Sequence, residues 1–303
     1  MKLLFVGTPQ VAAYYLDFLH QNHEITLVVT QTKKASGRGL KPKESAVASY
    51  ATANNLELIQ TDDINSSEVI EKIKASGAEL GVVVAFGQMI RAEARKAVAK
   101  EFINLHFSQL PKLRGADPAA AAIRSGMNQT GISVFKLTEE LDAGEIYSQL
   151  SIKISESDTT KDLFNKLLPL GKQGLSDSLE LISKNHEPVP QSGAATYAPK
   201  TSNNDYKINW NLTGSEIRNL VRSGYGKKIA WSVYEQQVIK IVDLETSNIS
   251  NFGKAGELLI TDCVYVQASD AVLEIKEVIP AGRNQMKASD WVRGLRITAG
   301  FFE

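Results

Sequence analysis

Residues 2–9 read Lys2-Leu3-Leu4-Phe5-Val6-Gly7-Thr8-Pro9, four consecutive apolar side chains closed by a glycine and a proline. A run this short that is apolar on both faces is the pattern of a strand buried between two layers. Val11-Ala12-Ala13-Tyr14-Tyr15-Leu16-Asp17-Phe18-Leu19 follows with helical spacing, and Pro9 stands where the first turn of a helix tolerates it. The run at 25–30 repeats the strand. Further strand candidates are 56–59, 80–86, 102–105, 132–137 and 146–154, and helical patterns fall at 45–54, 65–76, 91–99, 117–125 and 159–183. Pro169, Gly171 and Gly174 predict a kink or a division in the last helix. Strands alternating with helices make an α/β fold with a mostly parallel sheet between helical layers. Such a sheet carries its ligand site beyond the carboxyl ends of its strands.

After residue 183 the pattern changes. Asn185-His186-Glu187-Pro188-Val189-Pro190-Gln191-Ser192-Gly193 has no period and reads as a connection. Beyond it one helix is expected at 217–221. Short strands follow at 230–234, 238–244, 257–260, 263–266 and 272–278, the pattern of a small β domain of barrel type. The division that follows is a catalytic domain over 1–187, a linker over 188–205 and a C-terminal domain over 206–303.

Lysine plus arginine equals aspartate plus glutamate at 34 each, so a polyanionic partner would have to be held by a local basic patch. Cys263 is the one cysteine, which excludes an internal disulfide and a thiolate metal site. None of the four histidines lies in a metal-ligand motif, so no metal is expected. No apolar stretch reaches the length of a membrane span and no signal peptide is apparent, so a cytoplasmic location is expected.

The candidate chemistry is Asn104, His106 and Asp142. Alternation along a strand puts Asn104 and His106 on one face, and Asp142 follows in Leu141-Asp142-Ala143-Gly144. Taken singly, His106 can be a satisfied structural histidine and Asp142 a turn residue. Together they suit attack of an amine on an acyl carbon: the amide of Asn104 donates to the developing oxyanion, and His106 moves protons. Asp142 is expected to orient His106 and favour its protonated form. Asp117 is expected to cap the helix after it, with Pro118 at its first position.

Lys33, Lys34, Arg38, Lys41 and Lys43 fall within 11 residues that contain no acidic side chain. Gly37, Gly39 and Pro42 make the segment a loop. It reads either as a solvated surface loop or as a mobile finger for a phosphate backbone.

Several segments together resemble the methionyl-tRNA formyltransferases of the folate-dependent formyltransferase family. They are Phe5-Val6-Gly7-Thr8-Pro9, Gly37-Arg38-Gly39, Asn104-Leu105-His106, Ser108 through Gly115, Thr130-Gly131, Leu141-Asp142-Ala143-Gly144 and Thr196-Tyr197-Ala198-Pro199-Lys200. Ile208-Asn209-Trp210, Pro280-Ala281-Gly282-Arg283 and Trp291-Val292-Arg293-Gly294 continue the likeness through the C-terminal part. The chain departs from the usual pattern at Phe107, Gln109, Asp117, Ala143 and Glu145.

The resemblance implies a Rossmann-like catalytic domain and a C-terminal OB-like β-barrel. It implies transfer of a formyl group from 10-formyltetrahydrofolate to the α-amine of methionyl initiator tRNA, for translation initiation in a bacterium or organelle. Asn104, His106 and Asp142 match the catalytic positions, and Ser108, Gln109, Leu110 and Pro111 match part of the folate site. Lys33, Lys34, Arg38, Lys41 and Lys43 match the loop that meets the tRNA acceptor stem, and a monomer is expected. A sugar-amine formyltransferase, or a non-catalytic RNA-binding protein on the same scaffold, is the alternative.

Overall fold

The computed structural model describes residues 1–36, 41–224, 228–297 and 299–303, with backbone alone for 34–36 and 41–43. The chain forms two compact units, of which the first comprises Met1–Arg114, Gly131–Ser151 and Leu167–Thr196. The second comprises Gly115–Thr130, Ile152–Lys166 and Tyr197–Glu303.

The first unit opens with β1 (Lys2–Gly7), α1 (Gln10–His20), β2 (Glu24–Thr30), β3 (Lys34–Ser36), β4 (Lys41–Lys43) and α2 (Ala46–Ala53). It continues through β5 (Leu58–Gln60), α3 (Ser67–Ala75), β6 (Leu80–Val84), α4 (Ala92–Arg95) and β7 (Phe102–His106). In chain order then come β8 (Arg114–Gly115), α5 (Pro118–Arg124), β9 (Gln129–Lys136), β10 (Ile146–Lys153) and α6 (Thr160–Ser183). Of these, α5 and the start of α6 belong to the second unit, with Gly115 and the residues of β9 before Gly131 and of β10 after Ser151. The main sheet runs β10-β9-β7-β6-β1-β2-β5. Pairings β5–β2–β1–β6–β7 are all parallel, and β9 joins β7 antiparallel. The strand order reverses direction between β1 and β6, where an α/β sheet opens a crevice.

Burial follows the continuous apolar reading of the strands. Leu4 and Val6 of β1, Leu27 and Val29 of β2 and Val83 of β6 pack with Val69 and Ile73 of α3 on one face. Leu3 and Phe5, on the other parity, are fully buried as well.

Four expectations need correction. The pattern at 91–99 forms only the short α4, because the backbone N–H groups of Ala99 and Lys100 donate to the carbonyls of Ala78 and Glu79. Those bonds lead the chain into β7 and end helical pairing. The 159–183 pattern is not divided and forms one helix containing Pro169. Its glycines serve packing: a Cβ on Gly171 would fall on the Tyr15 ring and hydroxyl, and one on Gly174 on Ile132. The basic segment is a two-stranded ribbon, with Lys34 opposite Lys43 and Ser36 opposite Lys41. Asp117 does stand before the helix with Pro118 first inside it, but its side chain makes no capping hydrogen bond.

The second unit adds β11 (Tyr197–Ala198), a 3₁₀ turn, α7 (Gly214–Gly224), β12 (Trp231–Tyr234), β13 (Gln237–Thr246), β14 (Glu257–Ile260) and β15 (Val264–Gln267). β16 (Val272–Pro280), β17 (Met286–Lys287), α8 (Ala288–Leu295) and β18 (Ala299–Phe301) complete it. The strands form an antiparallel sheet in the order β12-β13-β16-β15-β14-β18, with β17 on β16. Beyond β18 the N–H of Glu303 donates to the Val233 carbonyl of β12, so the sheet curls until its two ends meet. This is the barrel-like architecture expected of the C-terminal part. Trp210, Trp291 and Phe302 stack in its core, with ring separations of 5.4 and 6.0 Å.

Candidate functional site

β7 ends at the carboxyl edge of the main sheet, and its last residue is His106. Asn104 and His106 pair across the antiparallel seam with Phe135 and Ser133 of β9, which fixes both on one face of the strand. The imidazole is buried, edge-on to the Phe135 ring at 6.4 Å. Its Nε2 lies 2.9 Å from the Leu113 carbonyl, which accepts only, so Nε2 carries the hydrogen. In the neutral ring Nδ1 then carries the lone pair. That atom is 3.7 Å from Oδ2 of Asp142, close for an ion pair and long for a hydrogen bond.

Two influences oppose each other on this ring. Burial, the larger, pushes the His106 pKa down, and the Asp142 carboxylate and the Leu113 carbonyl push it back up. The net direction is downward. Asp142 favours the protonated form and burial, the larger influence, favours the neutral ring, whose lone pair is on Nδ1.

Both partners of the histidine sit in left-handed backbone. Asp142 has φ +50° and Leu113 has φ +60°. Such conformations in residues other than glycine cost about 1–3 kcal/mol each and persist where the surroundings enforce them. Thr196 supplies part of that enforcement: its hydroxyl accepts from the Leu113 N–H, and its carbonyl accepts from the Arg114 N–H. At the Asp142 turn, Gly144 has room for no side chain, since a Cβ there would fall on the Lys136 carbonyl.

Asn104 is half-buried, and no hydrogen bond among the described residues engages its side-chain amide. That amide is therefore available as a donor on the same face as His106. The structure thus brings together all three residues that the sequence nominated.

The nominated segment 108–111 forms a tight turn directly after β7, with a cis Leu110–Pro111 peptide. Ser108, Leu110 and Pro111 are buried, and Gln109 is half-buried. The Ser108 hydroxyl donates to the Lys112 carbonyl, and the Ser133 hydroxyl donates to the Ser108 carbonyl. Gln149 donates to the Leu110 carbonyl. The segment is a built turn more than a row of free side chains. Of the basic residues, Lys33 pairs with Glu44 at 2.9 Å, both partners well exposed. Arg38 lies outside the described residues, as do the side chains of Lys34, Lys41 and Lys43. Among the described residues no group of His, Cys, Asp and Glu is arranged to hold a metal, and no helix is long and apolar enough to cross a membrane.

Sequence reasoning missed Leu113, Ser133, Gln149 and Thr196 as supports of the site. Leu113 acts through its carbonyl, which no side-chain pattern reports, and the others lie 16 to 83 residues from their partners.

Residues 1–179 match the formyl transferase family model, and residues 200–296 match the model of the formyl transferase C-terminal domain. A methionyl-tRNA formyltransferase from Fusobacterium nucleatum is 33% identical over 99% of this chain and 99% of its own length. The chain belongs to the methionyl-tRNA formyltransferase family. A Thermus thermophilus member is 32% identical over 99% of this chain and 98% of that protein. Among solved structures, an N-formyltransferase from Helicobacter canadensis, in complex with folinic acid and dTDP-3-aminofucose, shares the fold. Its TM-score is 0.68 at 19% identity, over 91% of this chain and 98% of that one. Against this family background, the sheet and the curled β domain are the two parts that the two family models match.

Proposed function

We propose that this chain transfers the formyl group of 10-formyltetrahydrofolate to the α-amine of methionyl initiator tRNA, with Asn104, His106 and Asp142 as its catalytic residues. Formyl transfer is the activity of the family to which it belongs. The observation that carries the residue assignment is the geometry of the buried His106. Its Nε2–H is held by Leu113 and its Nδ1 faces Asp142, beside an Asn104 amide that has no other partner among the described residues.

The chemistry follows from those atoms. The amine nitrogen attacks the formyl carbon, and the carbonyl electron pair moves onto oxygen, where the Asn104 N–H stabilises it. The proton leaving the amine passes to Nδ1 of His106, and Asp142 at 3.7 Å stabilises the imidazolium formed. Collapse returns the electron pair from the oxyanion to the carbonyl and breaks the bond between the formyl carbon and N10 of the folate. The His106 imidazolium returns its proton to N10, which restores the starting ring. No covalent enzyme intermediate is required, and Cys263 lies in the other unit.

Ser108, Gln109, Leu110 and Pro111 are assigned to the donor's side of the site. Gln109 offers the side chain, and the buried members fix the backbone around it. The ribbon of β3 and β4, with Lys33, Lys34, Arg38, Lys41 and Lys43, is assigned to the acceptor-stem phosphates of the tRNA.

The test is a choice of acceptors. The protein receives 10-formyltetrahydrofolate with either methionyl initiator tRNA or an amino-sugar nucleotide. Formylmethionyl-tRNA as the dominant product is expected. Formylation of the sugar with none of the tRNA would replace this reading with the sugar-amine alternative.

A further inference from the structure

Gln191 lies in the stretch that the sequence marks as a connection, yet it reaches back into the catalytic site. Its Nε2 donates to two carbonyls of the catalytic turn, those of Asp142 and Gly144, each at 2.8 Å. Its Oε1 accepts from Nη2 of Arg114 at 2.9 Å. The other guanidinium nitrogen, Nη1, donates to Glu140 at 2.7 Å, two residues before Asp142. Arg114 is buried and directly follows Leu113, whose carbonyl holds Nε2 of His106. Its Nε is buried without a partner among the described residues, so the orientation of the guanidinium is set by these two contacts rather than by its own full satisfaction.

The contacts close a circuit within one unit: His106 to Leu113, along the chain to Arg114, to Gln191, to the Asp142 turn, and across 3.7 Å back to His106. Asp142 itself sits at φ +50°, a conformation that needs external support. We propose that Gln191, oriented by Arg114, is a positioning residue that sets the distance between Asp142 and His106. Its three hydrogen bonds go to Arg114 and to the backbone of the Asp142 turn. Its amide fits because one side-chain group must donate twice and accept once, and only an amide does both at that reach.

This inference rests on the functional reading above, and the experiment separates the two. Gln191→Glu keeps the contact to Arg114 but turns an oxygen toward two carbonyl oxygens. Gln191→Met removes all three bonds at similar volume. Steady-state formylation of methionyl initiator tRNA is measured for each, with thermal unfolding and with hydrogen exchange across residues 138–145.

A fall in kcat of about 10- to 100-fold is expected in both variants, as displacement of a reacting group by about 1 Å produces. KM for donor and acceptor stays within about twofold, and exchange in 138–145 accelerates, as loss of bonds that position the turn rather than bind substrate requires. Wild-type kcat in a folded variant overturns the proposal, and so does a rise in KM at unchanged kcat. A wild-type protein that transfers no formyl group refutes the functional reading instead. In that case exchange alone decides the positioning: equal rates in wild type and variants overturn it, and faster rates in the variants uphold it.

Discussion

Replacing Asn104 by alanine separates catalysis from folding more cleanly than any other change at the site. Asn104 and His106 are two residues apart on one strand, a span of about 6.7 Å. That span accommodates one tetrahedral carbon, with its oxyanion against the amide and the attacking nitrogen against the imidazole. Loss of a well-placed donor to an oxyanion lowers kcat by about 10²- to 10³-fold, or about 3–4 kcal/mol of transition-state stabilisation. The cost to the fold is small. The side chain is half-buried and holds no hydrogen bond among the described residues, so the change removes about 1 kcal/mol or less. In a chain of this size that moves Tm by about 2 °C or less.

Steady-state kinetics at saturating donor, with methionyl initiator tRNA varied, gives kcat and KM separately, and calorimetry gives Tm. The expected outcome is a collapse of kcat at nearly constant KM and Tm. Asn104→Asp, of equal size, places a carboxylate against the oxyanion and loses at least as much. If a folded Asn104→Ala protein keeps kcat within about threefold of wild type, Asn104 stabilises no oxyanion and the mechanism is wrong.

Other perturbations give equally readable outcomes. Asp142→Asn removes the carboxylate that raises the His106 pKa, leaving burial opposed only by the Leu113 carbonyl. The acid limb of kcat, which reports the need for a neutral imidazole, then moves to lower pH while the maximum rate falls; a limb that moves up or stays fixed contradicts the pairing. Gly144→Ala puts a methyl group onto the Lys136 carbonyl and is expected to cost about 1–3 kcal/mol in urea unfolding together with activity, since the same turn carries Asp142. Neutral stability in that variant means the turn has more freedom than the packing shows. Neutralising Arg38 and Lys41 together is expected to raise KM for tRNA and flatten its salt dependence by roughly 1.4–1.8 in the log–log slope, with donor KM unchanged. An equal rise in donor KM indicates damage to the site rather than lost phosphate contacts.

Much of this was legible in the residues because the first unit speaks in side chains. Buried parallel strands such as 80–84 are apolar at every position, and the i, i+2 rule alone puts Asn104 beside His106. Where the reading went astray, backbone groups decided. The 91–99 pattern has the composition of a helix, but the carbonyls of Ala78 and Glu79 claim its N–H groups. Gly171 and Gly174 look like breakers and serve as contact points for Tyr15 and Ile132. The balance of influences on His106 was half legible for a related reason: the carboxylate of Asp142 is visible in the sequence, whereas the burial that opposes it belongs to the assembled sheet. Gln191 reads as connector because its partners are backbone carbonyls 47 and 49 residues away.

The central claim is direct transfer by Asn104, His106 and Asp142 without a covalent intermediate. It is tested most directly by a single-turnover quench with 10-formyltetrahydrofolate labelled in the formyl carbon and methionyl initiator tRNA. The account predicts that label passes from folate to the methionine α-amine with none on the protein at any time, and that His106→Asn abolishes the transfer. Label appearing first on the protein, or full transfer by the folded His106→Asn variant, would contradict it.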